Sequence, residues 1–200
     1  MTDMPLVDLE AQARVVSRLV AGVADSELAG PTPCPEYAVA DLLDHIRGLA
    51  MAFRDAARKD LGPTTDTAPA PAGPSLPAAW REDLPLLLGE LAEAWKDPSA
   101  WTGTTRAGGV DLPGEIAGAV AVDELLIHGW DLARATGQEY VPDEAALRAA
   151  HAFLLAAAQE ERGEGGIFAP VVPVPDDAPL LDRAVGLSGR DPGWTSPKSS

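Results

Sequence analysis

Residues 123–131 read DELLIHGWD, and within them a glutamate and a histidine stand four apart, at Glu124 and His128. On a helix that interval sets both side chains on one face. A carboxylate and an imidazole so placed are either a surface pair or two ligands of a divalent cation. Their surroundings bear on the choice. Glu124, His128 and Asp131 share a stripe with Ala117, Val120, Ala121, Ile127 and Ala135, so the polar groups lie among small apolar ones. Burying a polar group costs ~2–7 kcal/mol unless something satisfies it, and burying an ion costs more. His45 falls in a second apolar stripe, with Val39, Leu42, Ile46, Leu49 and Phe53. Packing of the two helices would bring His45, Glu124 and His128 to one point. Two imidazole nitrogens and one carboxylate oxygen leave coordination positions open, as catalytic Zn²⁺ or a similar ion requires. The plainer alternative is a hydrogen-bonded core histidine beside a chance Glu-x-x-x-His pair.

Neighbouring residues extend the question. Asp131 follows Glu124 by nearly two helical turns and could accept an N–H from a liganding imidazole, fixing its tautomer; the alternative is an acid near the helix end that faces solvent. Asp123 is turned about a quarter of the circle away and is expected on the surface. Cys34 precedes a helix N-terminus, where a thiol can have a lowered pKa, or it is a small packing residue between Pro33 and Pro35. Trp101 and Trp130 could line a pocket or fill the core. Arg106 and Arg134 could meet an anionic substrate or lie in solvent. His151 is read as structural or surface.

The elements that must position these groups follow from hydrophobic spacing. A first amphipathic helix spans Leu6 to Val23, a second about Ala38 to Lys59, and a third about Ala78 to Lys96 with a kink signal at Pro85. The stretch GPTTDTAPAPAGPSLP between the second and third reads as an exposed connection rather than a domain boundary. WTGTTRAGGVDLPGE reads as an irregular crossover without a strand pair. Its end supplies a helix start, with Asp111 as N-cap, Pro113 in the first turn and Glu115 at the positive end of the dipole. The fourth helix runs to about Thr136, stopped by Gly137. A fifth begins at Pro142-Asp143-Glu144 and continues to about Glu161, and a short last helix lies near Pro179 to Leu187. Four long helices joined by one loop and one crossover predict an all-α fold, a four-helix bundle with a C-terminal helical extension. One domain over residues 1–190 and a tail over 191–200 are expected.

The totals set limits. The chain has 200 residues, 46% of them hydrophobic, 23% charged and 5% aromatic, enough for one compact domain. Its 31 acids against 15 bases give a net charge of −16, which repels a nucleic-acid backbone or an anionic membrane. No run reaches the ~18 apolar residues of a membrane span, and MTDMPLVDLE lacks a signal-peptide pattern. With a single cysteine, Cys34, the expectation is a cytoplasmic protein, monomer or homodimer, acting on a small molecule.

TPCPEYAVADLLDHIRG resembles the TPCPxWxVxDLLxHxxG opening of the actinobacterial branch of the DinB-like proteins, which is related to the metal-binding domain of mycothiol-dependent maleylpyruvate isomerase. DELLIHGWDLARATGQ is similar to that branch's second motif, and PVPVPDDAPLLDRAVGLSGRDPGW to its C-terminal one. The resemblance implies a DinB-like four-helix bundle holding a divalent metal, zinc or nickel, through His45, Glu124 and His128. Tyr37 stands where the motif usually has tryptophan and keeps an aromatic there. In that family Cys34 is not a metal ligand. The relatives use the metal to present a low-molecular-weight thiol such as mycothiol as thiolate. The implied function is therefore a metal-dependent thiol S-transferase or isomerase acting on a small electrophile. The isomerases themselves carry a further C-terminal domain that contributes to the substrate site, whereas about one short helix is expected here after the fifth, so maleylpyruvate isomerisation itself is not implied. A hydrolase using metal-bound water would need a general base, with Asp131 the candidate. The rival reading from another class is a non-catalytic metal- or small-ligand-binding protein of stress response.

Overall fold

The computed structural model describes residues 7–67, 76–159 and 169–196. Its elements are α1 (Glu10–Gly22), α2 (Val39–Arg58), a single turn α3 (Pro63–Asp66), α4 (Trp80–Ala94), β1 (Thr104–Ala107), β2 (Val110–Pro113), α5 (Gly114–Ala135), α6 (Glu144–Gln159) and α7 (Leu180–Leu187). The bundle consists of α1, α2, α4 and α5. α1 packs on α4 and α5, and α2 packs on the same two from the other side. The extension follows, with α6 on α5 and α7 on α6. The all-α bundle that the spacing predicts is therefore the observed fold.

Apolar stripes build the core. α2 contributes Leu42, Leu43, Ile46 and Phe53, α4 contributes Leu84, Leu88 and Leu91, and α5 contributes Leu126 and Leu132, all buried. α5 lies between α1, α2 and α6, so it has almost no solvent face. This corrects the surface placement of Asp123, which is 3% exposed. A quarter turn away from one apolar stripe is another packed face when a helix is surrounded. A buried amide fixes how α5 sits. Gln12 of α1 donates to the Leu125 carbonyl at 3.3 Å and to the Tyr140 hydroxyl at 2.9 Å, and Tyr140 donates to the Leu126 carbonyl at 2.6 Å.

The sequence predicts an irregular crossover before α5, and the structure has an antiparallel hairpin there instead. Thr105 pairs with Leu112 and Arg106 with Asp111. Gly108 and Gly109, at φ +60° and +78°, make the two-residue turn whose twist suits a hairpin. Asp111 is thus a strand residue that accepts from Arg106 Nε at 2.7 Å, not the helix N-cap, and Pro113 lies just before α5 rather than inside its first turn. Glu115 does stand in that first turn. The connection 62–77 is also less irregular than predicted, since Pro63–Asp66 forms one helical turn. Asp55 of α2 ties that turn down, accepting from Thr64 Oγ1 at 2.8 Å.

Helix ends differ by a few residues. α1 begins at Glu10, whose amide donates to Asp8 Oδ1 at 2.9 Å, and Leu6 lies outside the described residues. α4 continues through Pro85. α5 ends at Ala135, with Gly137 in the left-handed region at φ +65°. α6 is described to Gln159, and Glu160 and Glu161 lie outside the described residues. Among the described residues, no helix is long and apolar enough to cross a membrane.

Candidate metal centre

His45 of α2 and Glu124 and His128 of α5 meet where those helices pack, with one ligand atom from each within 4.8 Å of the others. The two Nε2 atoms are 3.1 Å apart. Glu124 Oε2 lies 2.9 Å from His128 Nε2 and 3.9 Å from His45 Nε2. Metal–ligand bonds of ~2.0–2.1 Å at a tetrahedral angle put neighbouring donor atoms about 3.3 Å apart. The three observed separations bracket that value. Two nitrogens and one carboxylate oxygen suit zinc, nickel and similar ions, so the residues present fit the group.

The local sequence places each of the three. Thr32, buried in the TPCP loop, accepts from the Cys34 amide at 3.1 Å and sits 2.8 Å from the Tyr37 carbonyl. Asp41 accepts from the Ala38 amide at 3.0 Å and so secures the start of α2. The Tyr37 ring then lies over His45, centroids 5.1 Å apart. The His45 and His128 rings meet edge-on at 85°, which aims both Nε2 atoms at one volume.

Behind His128 runs a buried charged chain. Asp131 is wholly buried, and its Oδ2 lies 3.0 Å from His128 Nδ1. Arg190, from the segment after α7, donates to both Asp131 oxygens through Nε at 3.0 and 3.1 Å, and through Nη2 at 3.0 Å. Arg190 Nη1 also donates to the Ser188 carbonyl at 3.2 Å. Spacing alone leaves Asp131 between an imidazole partner and a solvent-facing acid; the structure turns it inward. Arg190 is the residue that sequence reasoning misses. Its one signal is that a carboxylate in an apolar stripe needs a cation.

Charge follows from these contacts. Burial, with His128 alongside, pushes the His45 imidazole down to about 4. Burial also acts against a charged His128, but hydrogen bonds to Asp131 and Glu124 outweigh it and raise that imidazole to about 9. Burial works against the Glu124 and Asp131 charges, yet the His128 hydrogen bond holds the first carboxyl below its ordinary range and Arg190 with His128 holds the second. The hydrogen-bond arithmetic agrees. Asp131 takes the Nδ1–H, which leaves His128 Nε2, His45 Nε2 and Glu124 Oε2 facing one another. A cation between them, or a proton carried on one of the rings, relieves the arrangement. In the absence of metal the raised pKa of His128 favours a second proton on that ring.

The other candidates lie elsewhere. Trp130 and Trp101 are core residues at 4% and 9% exposure. Trp101 donates to the Trp95 carbonyl at 2.8 Å, and its ring lies against Gly118, where a Cβ would come within 2.4 Å. Arg106 is held by Asp111 and by Asp66 at 2.8 Å. Arg134 donates to the Trp194 carbonyl at 2.6 Å, so it fastens the C-terminal segment. Cys34 is half-buried, and burial pushes its thiol up, with Arg190 acting the other way. That is the behaviour of a packing residue rather than a thiol activated by a helix N-terminus. His151 stands on α6, outside the cluster.

Beside the three donors opens a cavity of about 880 Å³. His45 and Glu124 form part of its wall, and α2, α3, the hairpin and α5 line it, with one side open to solvent.

Comparison with known proteins places this geometry. Residues 9–133 match the family described as mycothiol maleylpyruvate isomerase N-terminal domain. Two uncharacterized proteins, from two strains of Mycobacterium tuberculosis, are each 30% identical over 188 residues, covering 93% of this chain and 97% of theirs. Among solved structures, the mycothiol-dependent maleylpyruvate isomerase matches with a TM-score of 0.55 at 20% identity, over 77% of this chain and 72% of that one. A mutant of that enzyme gives a TM-score of 0.56 at the same identity and coverage. These two matches concern the fold.

Proposed function

The chain belongs to the mycothiol maleylpyruvate isomerase N-terminal domain family, and from that premise we propose that it is a divalent-metal-dependent thiol S-transferase or isomerase. Its thiol is of low molecular weight and mycothiol-type, and its substrate is a small electrophile. The observation that carries the reading is the convergence of His45 Nε2, His128 Nε2 and Glu124 Oε2 at separations suited to one ion. Zinc and nickel both suit this donor set.

In this reading His45, Glu124 and His128 would hold the ion, and His45 and Glu124 stand on the cavity wall. A divalent ion there supplies positive charge that lowers the pKa of a thiol, ~8.5 when free, so that it reacts as thiolate near neutral pH. Asp131 keeps the proton of His128 on Nδ1 and thereby presents Nε2 to the ion. Arg190 holds both oxygens of Asp131, which fixes the direction of that acceptor. The Tyr37 ring packs on His45 and limits its rotation. Leu49, Met51, Phe53 and Val120 make much of the cavity wall apolar, which suits the body of an organic substrate.

The test is metal content per chain, by elemental mass spectrometry on untagged protein, for wild type, His45→Ala and His128→Ala. About one Zn or Ni in wild type, lost in both variants, supports the metal reading. Wild type that neither carries nor takes up an ion refutes it. A metal-loaded protein that turns over no mycothiol–electrophile pair would leave the non-catalytic metal-binding function instead.

A further inference from the structure

The cavity wall bears on which molecules the centre would accept, an inference that rests on the proposed function. Among the described residues its charged lining groups are Asp41, Asp44 and Glu124, with no lysine or arginine. The nearby cations are paired with carboxylates: Arg106 with Asp66 and Asp111, Arg190 with Asp131, and Arg47, whose Nε is buried without a hydrogen-bond partner, with Asp44 of the wall itself at 3.9 Å. The −16 net charge of the chain adds to the same field. The rest of the wall is largely apolar, and the volume lies at the upper end of the ~300–1,000 Å³ usual for ligand sites.

Charge counting then discriminates among ligands. A divalent ion balances Glu124 and one thiolate. Asp41 and the Asp44–Arg47 pair remain, which leaves the wall with a net negative charge, so a further anion entering the cavity would lose hydration against that charge. We infer that the site takes uncharged or cationic organic molecules with a sizeable apolar part, and excludes dicarboxylates. Maleylpyruvate, a dicarboxylate, belongs to the excluded class. The family's name thus does not carry over to this chain's substrate.

A pair of probes with one aromatic body and different charge tests this in the full chain, as purified and after treatment with chelator. N-phenyl-1-naphthylamine is neutral, and 1-anilinonaphthalene-8-sulfonate is its anionic counterpart. Fluorescence titration should show the neutral probe binding at least about tenfold more tightly. Asp41→Asn with Asp44→Asn should narrow the gap several-fold by strengthening the anionic probe alone, and asparagine at 41 keeps the acceptor for the Ala38 amide. Gly48→Leu locates the probe. Gly48 lines the cavity, and a Cβ there meets nothing within 4 Å, so a leucine side chain can enter ligand space and should weaken binding of the neutral probe several-fold. Equal affinity for both probes, no response to the aspartate substitutions, or neutral-probe affinity unchanged by Gly48→Leu would each overturn the inference. The readout does not need the metal, so its failure is separate from a failed metal analysis.

Discussion

Metal uptake should depend steeply on pH, because the ion must displace a proton that the fold itself stabilises. His128 Nδ1 is 3.0 Å from Asp131 and Nε2 is 2.9 Å from Glu124. Both contacts are hydrogen bonds only when the ring carries two protons, and the pair of carboxylates raises its pKa to about 9. The sign follows directly. A raised pKa favours the protonated ring, the ion binds the unprotonated one, and apparent affinity therefore rises with pH until about 9. Roughly one ring in a hundred is unprotonated at pH 7, so affinity there lies about a hundredfold, or ~2.7 kcal/mol, below its alkaline limit. His45, held near 4, is neutral through the same range and adds no slope. Competition against a chromophoric chelator at about pH 6, 7 and 8 should show close to a tenfold gain per unit. Calorimetry in two buffers of different ionisation heat should show about one proton released per ion at neutral pH. Asp131→Asn removes one of the two carboxylates, so proton release at about pH 8 should fall below that of wild type. Affinity that is flat over this range, or uptake without proton release, would refute the reasoning.

Three further outcomes follow from the packing. Arg190→Met breaks a buried pair and leaves the wholly buried Asp131 with His128 as its remaining charged partner. Urea unfolding should register a loss of about 3 kcal/mol, whereas a loss near zero would mean that the pair is dispensable. Gly118→Ala drives a Cβ into the Trp101 ring and should cost ~1–3 kcal/mol by thermal unfolding, well beyond what the better helix propensity of alanine returns. Gly48→Ala meets open space in the middle of α2 and should instead raise stability by up to ~1 kcal/mol. If both glycine substitutions moved stability in one direction, the geometry assigned to one of them would be wrong.

What could be read in the sequence was what spacing encodes. Helix-period apolar stripes are local, so the bundle and the inward direction of His45, Glu124 and His128 were legible from residues one to four positions apart. The hairpin was legible in principle, since Ala107-Gly108-Gly109-Val110 carries the Gly-Gly signal of a two-residue turn. Its strands are only four residues long and contain Arg106 and Asp111, which hides the alternation. Asp123 misled for a different reason. A face off the main stripe is normally wet, but α5 is packed by α1, α2 and α6, and no local pattern states how many neighbours a helix will have. The cavity was not legible either, because it depends on α3 and the hairpin approaching α2 from opposite ends of a long connection.

Arg190 marks the limit of local reading and also a property of this chain's architecture. It lies 59 residues from the carboxylate that it holds, in a stretch rich in turn formers, and nothing in GRDPGW distinguishes a buried guanidinium from a solvated one. Yet Asp131 is wholly buried, and without Arg190 its charge would rest on His128 alone, tying that imidazole more firmly to its proton and so opposing metal uptake. The family match covers residues 9–133 and therefore contains the three donors and Asp131 but not the arginine. All three donors stand on bundle helices, α2 and α5. The electrostatic balance of the centre is completed only when α6 and α7 carry the C-terminal segment back to α5, where Arg134 also fastens Trp194. The C-terminal extension is thus a working part of the candidate site in this chain, and not an appendage to a domain that ends with α5.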